Sequence, residues 1–424
     1  MHFIFSPIGS AGDVHPMLGI AVALQKRGYE ITFQTNGYFQ KTVERHGLRF
    51  IELGSQDQFL AVADHPDLWK PRRAFRYIFQ KAIQPTLRLQ YAAIEEYSKS
   101  RDTVVIASCI GLGARIAHEK LGVPLVTVHL QPAVILSRIK PPTYSGIVGP
   151  RWLRNLMFSL AERLVIDRTI CPEVNRFRQE LGLPPVRQIV RWWHSPQLVV
   201  CLFPEWFASP QPDWPKNLLQ TDFPLWDEGT DAALAPEVQE FLDAAEPPIV
   251  FTPGSANVFG RPFFEAAVEA CQRLKRRGVL LSRFSEHVPE LLPSSVKHFP
   301  FIPFGQLLPK AAALVHHGGI GSTAQALAAG IPQLAMPLAH DQFDNAARVK
   351  RLGAGDWLVP SRFHGPVVAT QLDALIGSEA VQAACRRTAE RLSEKSGVAA
   401  AADAIEQFAA TKGTDRERGG IALC

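Results

Sequence analysis

Residues 316–342, HHGGIGSTAQALAAGIPQLAMPLAHDQ, hold two kinds of chemistry about twenty positions apart. The apolar run 312–315 reads as a strand. Gly318, Gly319 and Gly321 follow it, then Ser322, Thr323 and the helix-forming run Ala-Gln-Ala-Leu-Ala-Ala. A strand that turns through glycines into a helix leaves the first helical N–H groups unpaired and about half a positive charge at that end. Glycines let a bulky anion approach the backbone, so the turn is expected to hold phosphate. His317 stands at the lip of this turn and can donate to a phosphate oxygen. A second short strand over 333–336 leads to Asp341-Gln342, a pair whose acceptors and amide donors suit sugar hydroxyls. Phosphate chemistry followed by hydroxyl chemistry points to a nucleotide sugar.

A second candidate lies in Gly9-Ser10-Ala11-Gly12-Asp13-Val14-His15-Pro16, after an apolar strand over 2–8. Ligands of open α/β sheets bind at the carboxyl edge of the strands, where this loop must lie. Asp13 there is either a helix cap or a general base, and chemistry alone leaves both open. His15 is the rival base, with a better intrinsic pKa. Ser10 has a hydroxyl to offer a phosphate oxygen.

The forty-residue block from His316 to Gly355 resembles the donor-binding signature of the family-one glycosyltransferases, the UDP-glycosyltransferase superfamily. Its flavour is that of the bacterial rhamnosyltransferase, sterol glucosyltransferase and antibiotic glycosyltransferase branches. The resemblance implies the GT-B fold: two Rossmann-like α/β domains with parallel sheets facing across a cleft. It implies an inverting transfer of a hexose, of glucose or rhamnose type, from a UDP- or dTDP-sugar to a hydroxyl of an apolar acceptor. A lipid, a hydroxy fatty acid, a sterol or an aglycone would serve. By the same resemblance His317 contacts the diphosphate, and Gly319, Gly321, Ser322 and Thr323 supply N–H groups and hydroxyls. Gln325 stands where the family often has a ribose-gripping Glu. Phe301-Ile302-Pro303 resembles the family's Trp-x-Pro-Gln, an aromatic stack on the base followed by a backbone reader. Gly254-Ser255 matches the turn that opens the donor domain. The resemblance also tips Asp13 towards the base, since the bacterial branch carries an Asp in this loop. The acidic partner of the plant-type His falls near Ser108, which is not acidic.

The rest of the chain sets the frame. Its 424 residues suit two domains. The expected division is an acceptor-binding domain over 1–215, a linker over 216–245, a donor domain over 246–400 and a C-terminal helix with a mobile tail over 401–424. Alternating apolar strands and helices (103–108, 112–121, 124–130; then 249–252, 262–277, 279–283) predict parallel sheets covered on both faces. A helix is expected from about Pro16, a residue suited to a first turn. The last helices, about 378–393 and 397–410, are expected to pack across the domains. There is no Asp-x-Asp, so no metal is expected, nor any cofactor beyond the nucleotide-diphosphate sugar as co-substrate. Six scattered cysteines without a C-x-x-C pair, and no run of about 18 apolar residues, fit a cytoplasmic location. Residues 1–215 carry 25 Lys and Arg against 17 Asp and Glu. Much of that excess lies between Arg138 and Arg191, beside Trp152, Leu153, Leu156, Met157, Phe158, Leu160 and Leu164. Such a segment is either a solvated face over an ordinary core helix or a surface for peripheral contact with a membrane. Nucleic acid is not expected as a partner, because the basic residues do not alternate with stacking aromatics. Three other functions compete. An NAD-dependent oxidoreductase would need G-x-G-x-x-G and an acidic residue after the second strand, and both are missing. A non-catalytic lipid-binding module and a GT-B-fold UDP-sugar epimerase complete the alternatives.

Overall fold

A computed structural model describes residues 1–99, 101–147, 149–226, 233–244, 246–254, 260–393 and 396–420; of residues 71, 72, 393 and 412–420 only the backbone is described. The chain divides into two units, Met1–Pro224 with Gly397–Cys424, and Leu225–Ser396.

The first unit is built on seven parallel strands: β1 (His2–Ser6), β2 (Glu30–Thr35), β3 (Arg49–Glu52), β4 (Thr103–Ser108), β5 (Leu125–His129), β6 (Leu198–Cys201) and β7 (Leu218–Gln220). Their spatial order is β3-β2-β1-β4-β5-β6-β7. Phe3 on β1 sits beside Ile31 on one side and Val104 on the other. Every residue of β1 is buried, as a central parallel strand covered on both faces requires. Helices α1 (Ala11–Lys26), α2 (Leu112–Leu121) and α3 (Arg151–Ala161) belong to this unit.

The second unit holds β8 (Ile249–Thr252), β9 (Gly278–Leu281), β10 (Val296–Phe299), β11 (Ala313–His316), β12 (Gln333–Ala335) and β13 (Gly355–Trp357). All are parallel, in the order β10-β9-β8-β11-β12-β13. Its helices include α4 (Arg261–Leu274), α5 (Ile320–Ala329), α6 (Gln342–Leu352), α7 (Gly365–Ile376) and α8 (Glu379–Ser393). Phe263, Phe264, Ala267 and Cys271 of α4 pack with Val368, Ala369 and Leu372 of α7 over one face of the sheet.

The stretch 216–245 is not a single linker. β7 extends the first sheet, and the helix Pro236–Asp243 buries Val238, Phe241 and Leu242 in the second unit. Apolar side chains on both ends commit each to a core, and the division falls between Pro224 and Leu225. The last helix, α9 (Gly397–Gly420), runs past Lys412, where a mobile tail is expected. It belongs with the first unit, while α8 packs on α5 in the second. Arg27 of the first unit pairs with Asp403 at 2.7 Å and Glu406 at 2.6 Å, and Tyr29 donates to Glu406 at 2.7 Å.

Candidate active site

Both sheets reverse their direction of growth at one place. In the second unit the chain moves outward from β8 to β10, then returns to lay β11 against the other side of β8. The loops after β8 and β11 therefore part at the carboxyl edge and leave a crevice. Gly254 follows β8 and His317 follows β11. Gly254 has φ +99°, and any side chain there would come within 3 Å of the His317 ring. A side chain at Gly319 would overlap the same ring. The imidazole thus fills a slot that the missing side chains of these two glycines leave open. Its Nδ1 is buried without a partner among the described residues. Burial, and then His340, push His317 down to about 4, so the ring is neutral at pH 7 and offers one donor and one acceptor.

His316 has a different task. Its Nδ1 accepts from the Gly318 N–H at 3.1 Å, which leaves Nε2 to donate to Gln333 Oε1 at 3.1 Å. It is buried at the end of β11 and holds the turn to β12.

Gly319 caps α5, and the first helical bond runs from the Thr323 N–H to the Gly319 carbonyl at 3.0 Å. The N–H groups of Ile320, Gly321 and Ser322 precede that bond, so these three, with the helix dipole, are what the turn can offer an anion. Gly321 is exposed and a side chain there would enter open space. Thr323 is a correction: its side chain is fully buried and its N–H is spent, because the helix turns that residue towards the sheet. Gln325 lies one turn beyond Ser322 and is half-buried.

Asp341 caps α6. Asn345 Nδ2 donates to Asp341 Oδ2 at 2.6 Å and to the Gly318 carbonyl at 3.0 Å. One buried amide so ties the carboxylate to the phosphate turn. Gln342 is 3% exposed, and its Oε1 accepts from the N–H groups of Leu338 and Ala339 at 2.7 and 3.0 Å. The sequence predicts both acceptor and donor from Gln342; the fold spends the acceptor on its own loop. His340 has φ +57°, unusual for a side chain with a β-carbon and a mark of a constrained site. Sequence reading passed over His340 and Asn345; their spacing in HDQFDN, i and i+5, is the signal that was there.

Phe301 is 49% exposed beyond β10, an aromatic face at the same sheet edge, with the Arg283 guanidinium 5.8 Å from its ring centroid. It is not a core residue. Ile302 is, at 2% exposure, so its backbone is what remains for reading a base edge. Ser255 lies outside the described residues.

The first unit repeats the arrangement. Its chain reverses between β1 and β4; Asp13 stands in the first turn of the helix after β1, and Cys109 directly follows β4. Helix α1 begins at Ala11, not near Pro16, because Ser10 and Asp13 form a capping box that satisfies its first N–H groups. Asp13 Oδ2 accepts from the Ser10 N–H at 2.8 Å and the Ser10 hydroxyl at 3.1 Å. That proton is then not free for a donor phosphate, which corrects the expectation for Ser10. Gly9, with φ +135°, leaves the room that the carboxylate occupies. Burial raises the Asp13 carboxyl above its ordinary range, and the two Ser10 bonds only partly oppose this. Across the crevice, burial and then the charge of Asp13 push the Cys109 thiol up to about 12. His15 packs edge-on against Phe39, ring centroids 5.8 Å apart. Phe39 in turn meets Phe59, and Phe59 lies 4.8 Å from Tyr38, so aromatic rings gather after β2 beside the Asp13 loop. Asn36 ties that segment to the Gly9 carbonyl at 3.4 Å.

Among the described residues no group of three or more His, Cys, Asp or Glu is arranged to hold a metal ion. None of the described helices is long and apolar enough to cross a membrane.

Comparison with known proteins places this geometry. Residues 3–137 match the glycosyltransferase family 28 N-terminal domain, and residues 280–406 match the C-terminal domain of the erythromycin biosynthesis protein CIII-like family. The chain is 27% identical over 430 residues to the O-mycaminosyltylonolide 6-deoxyallosyltransferase of Streptomyces fradiae, covering 98% of this chain and 99% of that one. It is 26% identical to a sterol 3-beta-glucosyltransferase of Debaryomyces hansenii, over 95% of this chain but only 26% of that longer protein. The spinosyn rhamnosyltransferase SpnG, solved with thymidine diphosphate, superposes with a TM-score of 0.68 at 19% identity, over 96% of this chain and all of that one. The two family matches together span more than half the sequence, the first within the first unit and the second over most of the second unit and the start of the last helix, and the relatives matched along the chain are glycosyltransferases. The chain belongs to the family-one glycosyltransferases of the UDP-glycosyltransferase superfamily, with the GT-B fold.

Proposed function

We propose that this glycosyltransferase moves a hexose, of glucose or rhamnose type, from a UDP- or dTDP-sugar to a hydroxyl of an apolar acceptor, with inversion and without a metal. The observation that carries the reading is the His317 slot. A neutral imidazole with a buried, partnerless Nδ1 stands beside three N–H groups at a helix end, and Asp341 is tied to the same turn. A diphosphate would meet His317 and the N–H groups of Ile320, Gly321 and Ser322, and Asp341 would meet the sugar. Phe301 would stack on the base and Gln325 would reach the ribose. The thymidine diphosphate bound by SpnG supports a dTDP-sugar.

In the first unit Asp13 would take the proton of the acceptor hydroxyl. The freed oxygen pair bonds to the anomeric carbon as the bond from that carbon to the diphosphate breaks. The leaving charge falls on His317 and the α5 N-terminus, a task a cation performs elsewhere. Asp13 suits the base because burial raises its pKa above the ordinary carboxyl range, which makes it a stronger proton acceptor. The rings of Tyr38, Phe39 and Phe59 support an apolar acceptor, as does the sterol named for the Debaryomyces relative. Lipids, hydroxy fatty acids and sterols partition into bilayers, so peripheral work at a membrane surface goes with this acceptor class.

The test offers UDP- and dTDP-linked glucose and rhamnose with a panel of hydroxy fatty acids, sterols and polyketide aglycones. Mass spectrometry should find one acceptor one hexose heavier, with an equal yield of nucleoside diphosphate and an inverted anomeric centre by NMR. Retained configuration, or release of nucleoside diphosphate with no glycoside from any acceptor, overturns the reading.

A further inference from the structure

We infer that α3 and the turn that follows it dock the enzyme on an anionic lipid bilayer. None of the residues of α3 is fully buried; Leu153, Met157 and Phe158 are half-buried, Phe158 against the Tyr144 ring at 5.9 Å, while a second set of apolar residues stays exposed. Trp152 is 69% exposed, Leu156 50%, Leu160 46%, Leu164 50% and Val165 44%. The four-residue spacing keeps Trp152, Leu156 and Leu160 on one slowly drifting stripe, about 40° of rotation per step. A single π turn, Glu162–Ile166, follows, and its wider winding rotates less per residue and brings Leu164 back into line.

The stripe is widened by the loop before it. Arg154 donates to the carbonyls of Pro141 and Pro142 at 2.8 and 2.9 Å, and Asn155 donates to the carbonyl of Arg138 at 2.8 Å. These bonds fasten exposed Arg138, Ile139 and Lys140 beside α3. Between Arg138 and Arg168 stand six basic residues against two acidic ones, Glu162 and Asp167. Contiguous exposed apolar residues interspersed with cations fit an interface whose centre is hydrocarbon and whose rim is anionic headgroup. The charge decides the occupant: it is complementary to phosphatidylglycerol-type lipid. The inference rests on the reading of an apolar acceptor, since such an acceptor is held in the same bilayer.

The experiment floats the full chain with vesicles of phosphatidylcholine alone and of phosphatidylcholine with phosphatidylglycerol. Wild type should float with the anionic vesicles, about tenfold more weakly with the neutral ones, and less as salt is raised. Replacing Leu156→Ser together with Leu160→Ser should reduce flotation at least about tenfold, with an unchanged melting temperature, since both side chains are exposed. The pair Arg151→Gln and Arg163→Gln should lose the anionic preference. Wild type that ignores anionic vesicles, or a double-serine variant that floats as well as wild type, overturns the proposal. So does a wild-type dimer in light scattering that the serine pair dissociates, which would make the face a contact between copies. Transfer to an apolar acceptor dispersed in detergent without vesicles, measured on the same samples, separates the two readings: its absence counts against the proposed function and leaves flotation to judge the docking face.

Discussion

Asn345 and Asp341 share a hydrogen bond of 2.6 Å from the amide Nδ2 to the carboxylate Oδ2, and the same nitrogen reaches the Gly318 carbonyl at 3.0 Å. The glycine turn and the Asp341 carboxylate are therefore set by one fully buried amide, so the two can be separated by substitution. Asp341→Ala should weaken the intact donor far more than the free nucleoside diphosphate. Asn345→Ala should weaken both, because it releases the turn as well as the carboxylate, and should cost about 1–3 kcal/mol of stability. Calorimetric titration of both variants with both ligands decides. Equal losses of donor and nucleotide in Asp341→Ala would show that the carboxylate does not read the sugar.

Asp13 has a structural and a chemical task, and two substitutions separate them. Asp13→Asn keeps an oxygen for the Ser10 N–H, so the melting temperature should stay close to wild type. Turnover should fall about 10²–10⁴-fold, the usual worth of a positioned base. Asp13→Ala should lose turnover and, with the box gone, a further ~1 kcal/mol of stability. Because burial raises the Asp13 pKa, the acid limb of kcat/KM should lie above the ordinary Asp range of about 3.9. An active Asp13→Asn enzyme beside an inactive His15→Ala enzyme would move the base to His15.

Gly321 is open on its outer side. Gly321→Ala meets no protein atom and places a better helix former in α5, so stability should be unchanged or rise by up to about 1 kcal/mol. Affinity for the nucleoside diphosphate should nonetheless drop, because the new methyl occupies the ligand's approach. Gly319→Ala should lower both, since its methyl meets the His317 ring. Thermal melts and titrations on the two variants are sufficient, and unaltered nucleotide binding in Gly321→Ala would place the diphosphate elsewhere.

Transfer should continue in excess EDTA. On the proposed mechanism the helix dipole and N–H groups of α5, with a hydrogen bond from the neutral His317 ring, would take the place of a metal. Complete loss of activity restored by Mg²⁺ or Mn²⁺ would remove this account of the leaving group.

Buried histidines set the acid stability. His2 lies at about 4, its ring between the hydroxyls of Thr103 and Thr32; His194 and His317 lie at about 4 and His316 at about 3. Burial is the first cause for each. Folded values below the unfolded value of about 6.5 mean that the unfolded chain binds more protons between the two. Stability is then full above about pH 6.5 and falls as the pH drops towards 4. Melting temperature against pH should be level near neutrality and slope through that window. His2→Gln should make the slope shallower, and a level profile down to pH 4 would contradict the assignment.

Short-range chemistry was legible in the sequence. The β–α alternation and the glycine turn after β11 rest on spacings of a few residues, where chain geometry leaves little freedom, whereas the choice of Asp13 as base leaned on the family resemblance. The seven- and six-stranded parallel sheets follow from the same alternation of buried strands and helices. Tertiary structure decided what depends on rotation and distant packing. The phase of α5 against its sheet turns Thr323 inward and leaves Ser322 at the lip. Gly254 needs its missing side chain because His317, 63 positions away, lies against it. The Gln342 oxygen is taken by a loop folded back onto it, and Ser10 spends its proton on Asp13. The apolar residues from Trp152 to Leu164 have the composition of a core helix; only packing shows that Trp152, Leu156, Leu160 and Leu164 stay exposed, because burial is a property of what surrounds a side chain and not of the side chain itself.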